Sequence, residues 1–490
     1  MPGKYLALDF GAESGRAILG TLANDQLKLE EVHRFENRQV HRGRHFHWDV
    51  PHLFSELKRG LHKAASGGHQ NLAGIGVDTW GVDFGLLDER DQLIEDPVVY
   101  RDSRTTGMVE RAFQLLPAAE LYGHTGNQIM QINTAFQLLS LVESRNPILE
   151  RAKTLLFIPD LFNFLMTGKK LCEYTIASTS QMLNAQTRQW AEIVFDKLGL
   201  PRAIMLDVVL PGKIVGKLLP EVGKETGLSG VEVIASGGHD TACAVGAVPV
   251  KSEKWAYISS GTWSLVGVEL PAPVLDARAF KSNFTNEGGI NGNIRFLRNA
   301  MGLWLLQRCQ KDWAAAGHKH DYGELVEMAK HSVPFQCWLD PDDPTFLNPP
   351  NMPDAIVDFC QRTNQSPPQN KAQFVRAVLE GLALKYRHII EMINTVCPNP
   401  VEVVHIVGGG TKNELLNQLT ADATGLTVIA GPVEATAAGN IISQAIATGE
   451  IANFAEGREW VARSFPMKTY LPVDTEKWAN LYERIRSHLR

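Results

Sequence analysis

Each half of the chain opens with the same pattern, in which two apolar segments flank a short turn of small residues. In the first half, residues 4–10 and 16–22 predict two strands joined by a glycine-bounded turn. In the second half, residues 255–260 and 263–269 predict the same strand pair, joined by Gly-Thr. The repetition is one of pattern and not of identity, and it favours a duplicated fold.

With 490 residues the chain is long enough for two domains, and the repeat places them at residues 1–245 and 246–490 with a cleft between them. The remaining segments alternate between strand and helix, which predicts mixed sheets flanked by helices. The predicted strands are 27–35, 72–78, 293–298, 401–407 and 427–430. The predicted helices are 51–65, several within 106–167, 301–316, 372–395, 412–424 and 434–448. Residues 340–371, rich in Pro, Asn and Gln, predict an irregular surface segment.

Composition excludes several classes of function. The net charge is -6 and no basic run occurs, which argues against a nucleic-acid partner. No apolar run reaches the roughly 18 residues that span a bilayer, so no membrane partner is expected. The N-terminus shows no signal segment, and the six cysteines are scattered without a CxxC pair. These features predict a cytoplasmic enzyme with reduced thiols. They leave its oligomeric state open.

The stretch at residues 231–243 is the first candidate site. An apolar, β-branched run leads into Gly237 and Gly238, and Asp240 follows where a helix can begin. A strand that ends in two glycines can present such a carboxylate to a ligand. Taken alone, Asp240 is better explained as a helix N-cap.

Two turns of similar composition are candidate phosphate sites. Residues 11–16 and 259–264 combine glycine with hydroxyl-bearing side chains, and such turns can direct backbone N–H groups at an anion. Asp9 precedes the first turn, where its carboxylate could hold Mg²⁺ through water. The alternative is that Asp9 only stabilises the turn.

A third glycine-rich turn, at residues 408–410, follows the strand at 401–407 and lets backbone approach a flat or anionic ligand. It lacks the GxGxxG spacing of a dinucleotide fold, which disfavours a dinucleotide-dependent oxidoreductase. Residues 208–217 are not a Walker A loop, because only three residues separate the glycines and no Ser or Thr follows the lysine.

Five motifs in order resemble the FGGY carbohydrate kinases, a family with two actin-like (ribonuclease H-like) α/β domains. They are DFGAESGR (9–16), GGHDTA (237–242), SSGTWS (259–264), IVGGGTKN (406–413) and PVEATAAGN (432–440). Further motifs at 76–84, 100–105, 286–289 and 298–308 are more particular than the family as a whole. The resemblance covers essentially the whole chain. It implies MgATP-dependent phosphorylation of a ketose, with L-rhamnulose at O1 first and L-fuculose or another ketose as the alternative.

The resemblance also implies roles for individual residues. Asp240 would be the general base. The sugar site would comprise Gly81, His239, Asp240, Thr241 and Asn299. The nucleotide site would comprise Ala12, Glu13, Ser14, Gly15, Arg16, Thr262, Gln307 and Gly409. The partners would be ATP and a small ketose.

Other observations leave alternatives open. Tyr100 and Asn440 depart from the residues common in the family, so contacts cannot be carried over from its xylulose and glycerol kinases. Trp80 could pack on a sugar face or in the core. The charged side chains of its neighbourhood could bind sugar hydroxyls or pair with one another; these are Asp78, Asp83, Asp102 and Arg104. A non-catalytic nucleotide switch of the actin or Hsp70 kind is the hypothesis from a different class.

Overall fold

Strands and helices are interspersed along the chain in the computed structural model, which describes residues 3–489. The strands are β1 (Gly3–Phe10), β2 (Ser14–Ala23), β3 (Gln26–Glu36), β4 (Gln39–Arg42), β5 (His45–Trp48), β6 (Gly74–Thr79), β7 (Phe84–Leu87), β8 (Thr154–Phe157), β9 (Cys172–Glu173), β10 (Val208–Val209), β11 (Lys213–Lys217), β12 (Glu232–Ala235), β13 (Trp255–Ser260), β14 (Trp263–Leu270), β15 (Thr285–Gly288), β16 (Ile294–Met301), β17 (Val403–Val407), β18 (Thr427–Ala430) and β19 (Lys468–Tyr470).

The helices flank these strands. They are α1 (Val50–Ser66), α2 (Met108–Leu115), α3 (Ala118–Thr125), α4 (Thr134–Glu143), α5 (Ile148–Arg151), α6 (Ile158–Thr167), α7 (Tyr174–Ala177), α8 (Glu192–Leu198), α9 (Pro220–Thr226), α10 (Asp240–Gly246), α11 (Ala277–Lys281), α12 (Trp304–Ala315), α13 (Tyr322–Lys330), α14 (Met352–Arg362), α15 (Lys371–Val396), α16 (Glu414–Thr424), α17 (Ala435–Ala447), α18 (Phe454–Ser464) and α19 (Thr475–Ile485).

The first sheet has the order β11-β12-β6-β1-β2-β3. Strands β1, β2 and β3 pair antiparallel, whereas β6 and β12 continue the sheet in parallel beyond β1. Every side chain from Tyr5 to Phe10 is buried, because helices cover both faces of the sheet at β1. The parallel strands end at one edge, and that edge carries the candidate site described below.

The second sheet repeats this order. It runs β15-β16-β14-β13-β17-β18-β19, with β13 antiparallel to β14 and parallel to β17, and with β17 parallel to β18. In both sheets an antiparallel strand pair, β1–β2 or β13–β14, adjoins two further parallel strands, and an antiparallel strand, β11 or β19, forms the edge beyond them; the second sheet has one strand more than the first. The duplication that the sequence pattern predicts is therefore confirmed at the level of strand order.

The chain forms two compact units that are not continuous in sequence. The first comprises the residues up to Pro249, Glu269–Phe296 and Ala435–Ser464. The second comprises Val250–Val268, Leu297–Glu434 and the residues from Phe465 onward. Helix α17 thus belongs to the first unit, where it packs against β1, β6 and α10. The division at residues 245 and 246 stays a prediction.

One expectation about secondary structure is wrong in part. Residues 340–371 contain helix α14 in place of a wholly irregular segment. Asn351 caps this helix by accepting a hydrogen bond from the backbone N–H of Asp354. Its buried residues recur at helical spacing, and they are Met352, Ala355, Ile356, Phe359 and Cys360. The polar composition concealed this apolar face.

The six cysteines are buried free thiols, as the sequence predicts. Within residues 3–489, no helix has the length and apolar character that crossing a bilayer requires.

Candidate active site

Three carboxylates gather where the parallel strands of the first sheet end. Asp9 lies at the end of β1, and Asp78 is its direct partner in the register of the neighbouring strand β6. The backbone N–H of Thr79 donates to the carbonyl oxygen of Gly238 at 2.8 Å, which joins β6 to the loop that precedes Asp240. The carboxyl ends of adjacent parallel strands meet at one edge, so distant parts of the chain converge here.

The first predicted phosphate turn lies beside Asp9. Strands β1 and β2 pair Asp9 with Arg16, and the Nη2 of Arg16 donates to Asp9 Oδ2 at 2.5 Å. The turn closes with a hydrogen bond of 3.0 Å from Gly11 N to Ser14 O, and the side chain of Asn37 holds the Gly11 carbonyl. The five predicted nucleotide residues at 12–16 therefore occupy this turn and the start of β2.

The two glycines before Asp240 are required by their surroundings. Gly237 adopts a φ of 152°, and a β-carbon there would lie 2.6 Å from Ile290 Cγ2. A β-carbon on Gly238 would lie 2.9 Å from Glu173 Oε2, the atom that accepts the Gly238 N–H. Glu173 is buried, so its hydrogen bond with Gly238 holds the loop before Asp240 from the interior of the protein.

Asp240 is the first residue of α10 and not its N-cap. The N-cap position is His239, which makes no side-chain capping bond. Asp240 Oδ1 accepts hydrogen bonds from the backbone N–H and the hydroxyl of Thr241, at 2.5 and 3.1 Å. Its side chain keeps 30% of its surface exposed, so a hydroxyl from solvent or a ligand can reach it.

The carboxylates perturb one another. Burial and the charge of Asp9 raise the pKa of Asp240 to about 7, and Thr241 opposes the shift. Burial and Asp9 also raise the pKa of Asp78 well above its usual range, against the hydrogen bond from Asn440. Strongly shifted carboxyl groups at one edge of a sheet are typical of active sites. The fold therefore gives Asp240 a pKa above that of an exposed aspartate.

Asp78 is held by a residue far away in sequence. Asn440, on α17, donates its Nδ2 to Asp78 Oδ2 at 2.6 Å and accepts from Gln444 Nε2 at 2.7 Å. The other oxygen of Asp78 is buried and has no hydrogen-bond partner in the described part of the chain. Asn440, which departs from the residue common in the family, thus contacts a carboxylate of the candidate site.

The neighbouring charged residues are engaged with the protein itself. Asp83 Oδ2 accepts from the indole N–H groups of Trp48 and Trp80, at 2.6 and 3.0 Å, and from the backbone of Tyr100. The two tryptophan rings lie 4.2 Å apart, and Trp80 is buried. Trp80 therefore packs in the core. Asp83 holds Trp48, Trp80 and the backbone of Tyr100 together through these three hydrogen bonds.

Asp102 and Arg104 are likewise occupied. Asp102 accepts from His45 Nδ1 at 2.9 Å and caps the short turn that begins at Ser103. Arg104 donates to Gln137 Oε1 at 2.7 Å, and Gln137 in turn donates to Asp83. Of the four charged residues left open by the sequence, Asp78 is the one whose carboxylate joins Asp9 and Asp240.

His239 lies beside two charged residues to which the sequence analysis assigned no role, Arg295 and Glu287. Its Nδ1 lies 2.9 Å from Nη2 of Arg295, which also donates to Glu287 Oε2 at 3.0 Å. A methyl group at Gly81 would lie 3.5 Å from His239 Nε2, so Gly81 borders the imidazole. The available signal was Arg295 itself, a charge between the apolar residues Ile294 and Phe296 of a predicted strand.

The second unit brings together three of the predicted nucleotide residues. The carbonyl of Thr262 accepts from the backbone N–H of Trp304 at 3.3 Å, so the β13–β14 turn adjoins the start of α12, where Gln307 lies. The turn after β17 packs closely on the end of β13, because a β-carbon on Gly410 would lie 2.0 Å from Ser260 Oγ. Space is open beside Gly409, where a β-carbon would meet no atom within 4 Å.

Asn299, predicted for the sugar site, lies in β16 and belongs to the second unit.

No group of three or more His, Cys, Asp or Glu residues within 3–489 is arranged to bind a metal ion directly. The donors at the sheet edge nevertheless suit Mg²⁺. Asp9 and Asp78 lie side by side in register, Arg16 pairs with Asp9, and one Asp78 oxygen is unpartnered in the described part of the chain. Hard oxygen donors with excess negative charge favour that ion, held partly through water.

The fold is that of sugar kinases of known structure. The crystal structure of gluconate kinase from Lactobacillus acidophilus superimposes with a TM-score of 0.81, covering 100% of this chain and 98% of that one, at 16% identity. At such low identity the likeness shows the actin-like α/β fold alone.

Family models and curated relatives identify the family. Residues 4–246 match the N-terminal domain and residues 256–448 the C-terminal domain of the FGGY family of carbohydrate kinases. The rhamnulokinase of Bacteroides thetaiotaomicron is 44% identical over 490 residues, covering 100% of both chains. That of Oceanobacillus iheyensis is 42% identical over 471 residues, covering 96% of this chain and 99% of the relative. The chain belongs to the FGGY family, and it is an ATP-dependent carbohydrate kinase.

Proposed function

We propose that the chain transfers the γ-phosphoryl group of MgATP to O1 of L-rhamnulose, giving L-rhamnulose 1-phosphate and ADP as a step of L-rhamnose catabolism. The choice of L-rhamnulose as the substrate rests on the 44% identity, over the full length of both chains, with a curated rhamnulokinase. The motifs at 76–84 and 298–308, which exceed the common family pattern, support the same branch.

Asp240 is the proposed general base. Its carboxylate is partly exposed at the sheet edge, and with a pKa of about 7 it can accept a proton near neutrality. Phosphoryl transfer needs positioning and charge neutralisation more than covalent help from the protein. Asp240 would orient the attacking hydroxyl and take its proton as the bond to phosphorus forms. The bond from the γ-phosphorus to the bridging oxygen breaks, and ADP leaves with that oxygen.

The remaining roles follow from the residues that adjoin this carboxylate. His239 and Thr241 flank Asp240, Gly81 borders His239, and these residues would contact the sugar together with Asn299. The phosphates of ATP would contact the turn at residues 12–16 and Thr262, with Gln307 and Gly409 against the nucleotide. Asp9 would hold Mg²⁺ through water, and the ion neutralises charge on the phosphates when bound.

The experiment is an ADP-release assay with MgATP and, in turn, L-rhamnulose, L-fuculose, D-xylulose and glycerol. We expect the highest kcat/KM with L-rhamnulose and a loss of about 10²–10⁴-fold in kcat for Asp240→Asn. Asp88→Asn, in an exposed turn, is the matched control and should keep wild-type turnover.

Each other outcome has a defined meaning. Preference for L-fuculose would change the substrate and retain the mechanism. Turnover independent of sugar would support a nucleotide switch in place of a kinase for ketoses. Full activity of Asp240→Asn would remove Asp240 as the base.

A further inference from the structure

Arg295 is a completely buried arginine beside the proposed base. Its relative exposure is 0%, and its Nε donates to the Gly288 carbonyl at 2.9 Å. Its Nη2 lies 3.0 Å from Glu287 Oε2 and 2.9 Å from His239 Nδ1. A buried guanidinium is costly unless it is paired, and here Glu287 supplies the counter-charge.

The contact with His239 determines where the imidazole can carry its proton. A guanidinium has five N–H donors and no acceptor, so the nitrogen that faces it must accept. His239 Nδ1 is therefore the unprotonated nitrogen, and the ring proton resides on Nε2. Glu287 Oε2 is 3.6 Å from Nδ1, beyond hydrogen-bond distance, and is already engaged by Arg295.

The protonated nitrogen faces the reacting groups. His239 Nε2 lies 3.5 Å from Asp240 Oδ1. Double protonation of the ring is disfavoured, because burial and the charge of Arg295 hold the pKa of His239 well below its usual range. The ring thus offers one N–H donor in the direction of Asp240.

We propose that Arg295 is a positioning residue that fixes His239 as the neutral imidazole protonated on Nε2, and so directs an N–H donor at Asp240 and the sugar hydroxyl beside it. The part that concerns the sugar rests on the proposed function. The tautomer itself follows from the contact and does not depend on the substrate.

A purely structural role for Arg295 predicts a different result. The backbone of the loop is held independently, since Gly238 N donates to Glu173 and His239 N donates to Thr175 Oγ1 at 3.1 Å. Removing Arg295 should therefore leave the ring in its place and change which nitrogen is protonated. If Arg295 only fills the core, its loss lowers stability and leaves the tautomer unaltered.

Nitrogen NMR of the full chain, labelled with ¹⁵N-histidine at pH 7.5, measures the tautomer directly. His239→Gln identifies the resonances of His239 among the 15 histidines. We expect the wild type to show protonated Nε2 and unprotonated Nδ1. In Arg295→Met a mixture of tautomers should appear, and Arg295→Lys, which keeps one donor, should restore the wild-type pattern in part. Glu287→Gln is the matched control, because it removes the counter-charge and keeps the donor.

The wild-type spectrum alone can overturn the proposal, even if a variant does not fold. A proton on Nδ1, or on both nitrogens, contradicts it, as does an unchanged tautomer in folded Arg295→Met. Kinetics then test the consequence: Arg295→Met should lose about 10–100-fold in sugar kcat/KM, as expected for a hydrogen bond to a charged group, with partial rescue by Lys. If no sugar is turned over at all, the proposed function fails while the tautomer assignment is still decided by NMR.

Discussion

Replacing Asp240 by Asn should make the protein more stable, and more so as the pH rises. The pKa of Asp240 is raised from 3.8 to about 7, so the folded state binds a proton that the unfolded chain releases. A carboxyl group whose pKa is raised by folding destabilises the folded protein as the pH rises above the unfolded-state pKa. This loss of stability is complete above the folded-state pKa. An amide carries no such charge and keeps an oxygen to accept from Thr241.

The size of the effect follows from the shift. About three pKa units correspond to at most about 4 kcal/mol, at roughly 1.4 kcal/mol per unit. Since 30% of the side chain is exposed, solvent screening reduces this to about 1–2 kcal/mol. For a unit of roughly 300 residues, the unfolding entropy converts this to a Tm increase of about 2–3 °C.

Calorimetric scans of wild type and variant at pH 5, 7 and 8.5 test this reasoning. The gain in Tm should be less than half its full value at pH 5 and should level off above pH 7. Asp88→Asn should show no gain, because hydrogen bonds from Gln92 and Arg90 lower the pKa of Asp88. Equal Tm values of wild type and Asp240→Asn at pH 8.5, or a gain independent of pH, would refute the reasoning.

Three further predictions concern the same unit. Sugar-dependent kcat/KM should rise with pH and level off above about pH 7, as Asp240 ionises; a flat profile between pH 5.5 and 8.5 would exclude it as the titrating base. Asn440→Ala should lower the free energy of unfolding by about 1–3 kcal/mol, because buried Asp78 loses its donor; urea titration measures this, and an unchanged midpoint would contradict it. Gly439→Ala should lower the free energy of unfolding by about 1–3 kcal/mol or more, because its methyl group would lie 1.9 Å from the Cys243 carbonyl oxygen. An unaltered Tm would disprove the close helix contact.

The sequence predicted the two similar sheets well, because strands and turns leave local signals. Apolar runs bounded by glycine identified β1, β2, β13 and β14, whose ends lie within two residues of the predictions. Helix α14 was missed because its apolar face lies within a polar, proline-containing stretch. The prediction followed the polar composition of this segment and overlooked the helical spacing of its apolar residues.

The sequence by itself determined the residue types of the candidate site, since Asp9, Arg16, His239 and Asp240 fall within its motifs. Only the tertiary structure decided their chemistry. The pKa of Asp240 depends on burial and on Asp9, some 230 positions away. The hydrogen bond from Asn440 to Asp78 likewise joins residues that are far apart in the sequence. Electrostatic coupling and desolvation act through space and fall steeply with distance, so they depend on which strands become neighbours. No local pattern along the chain encodes those separations.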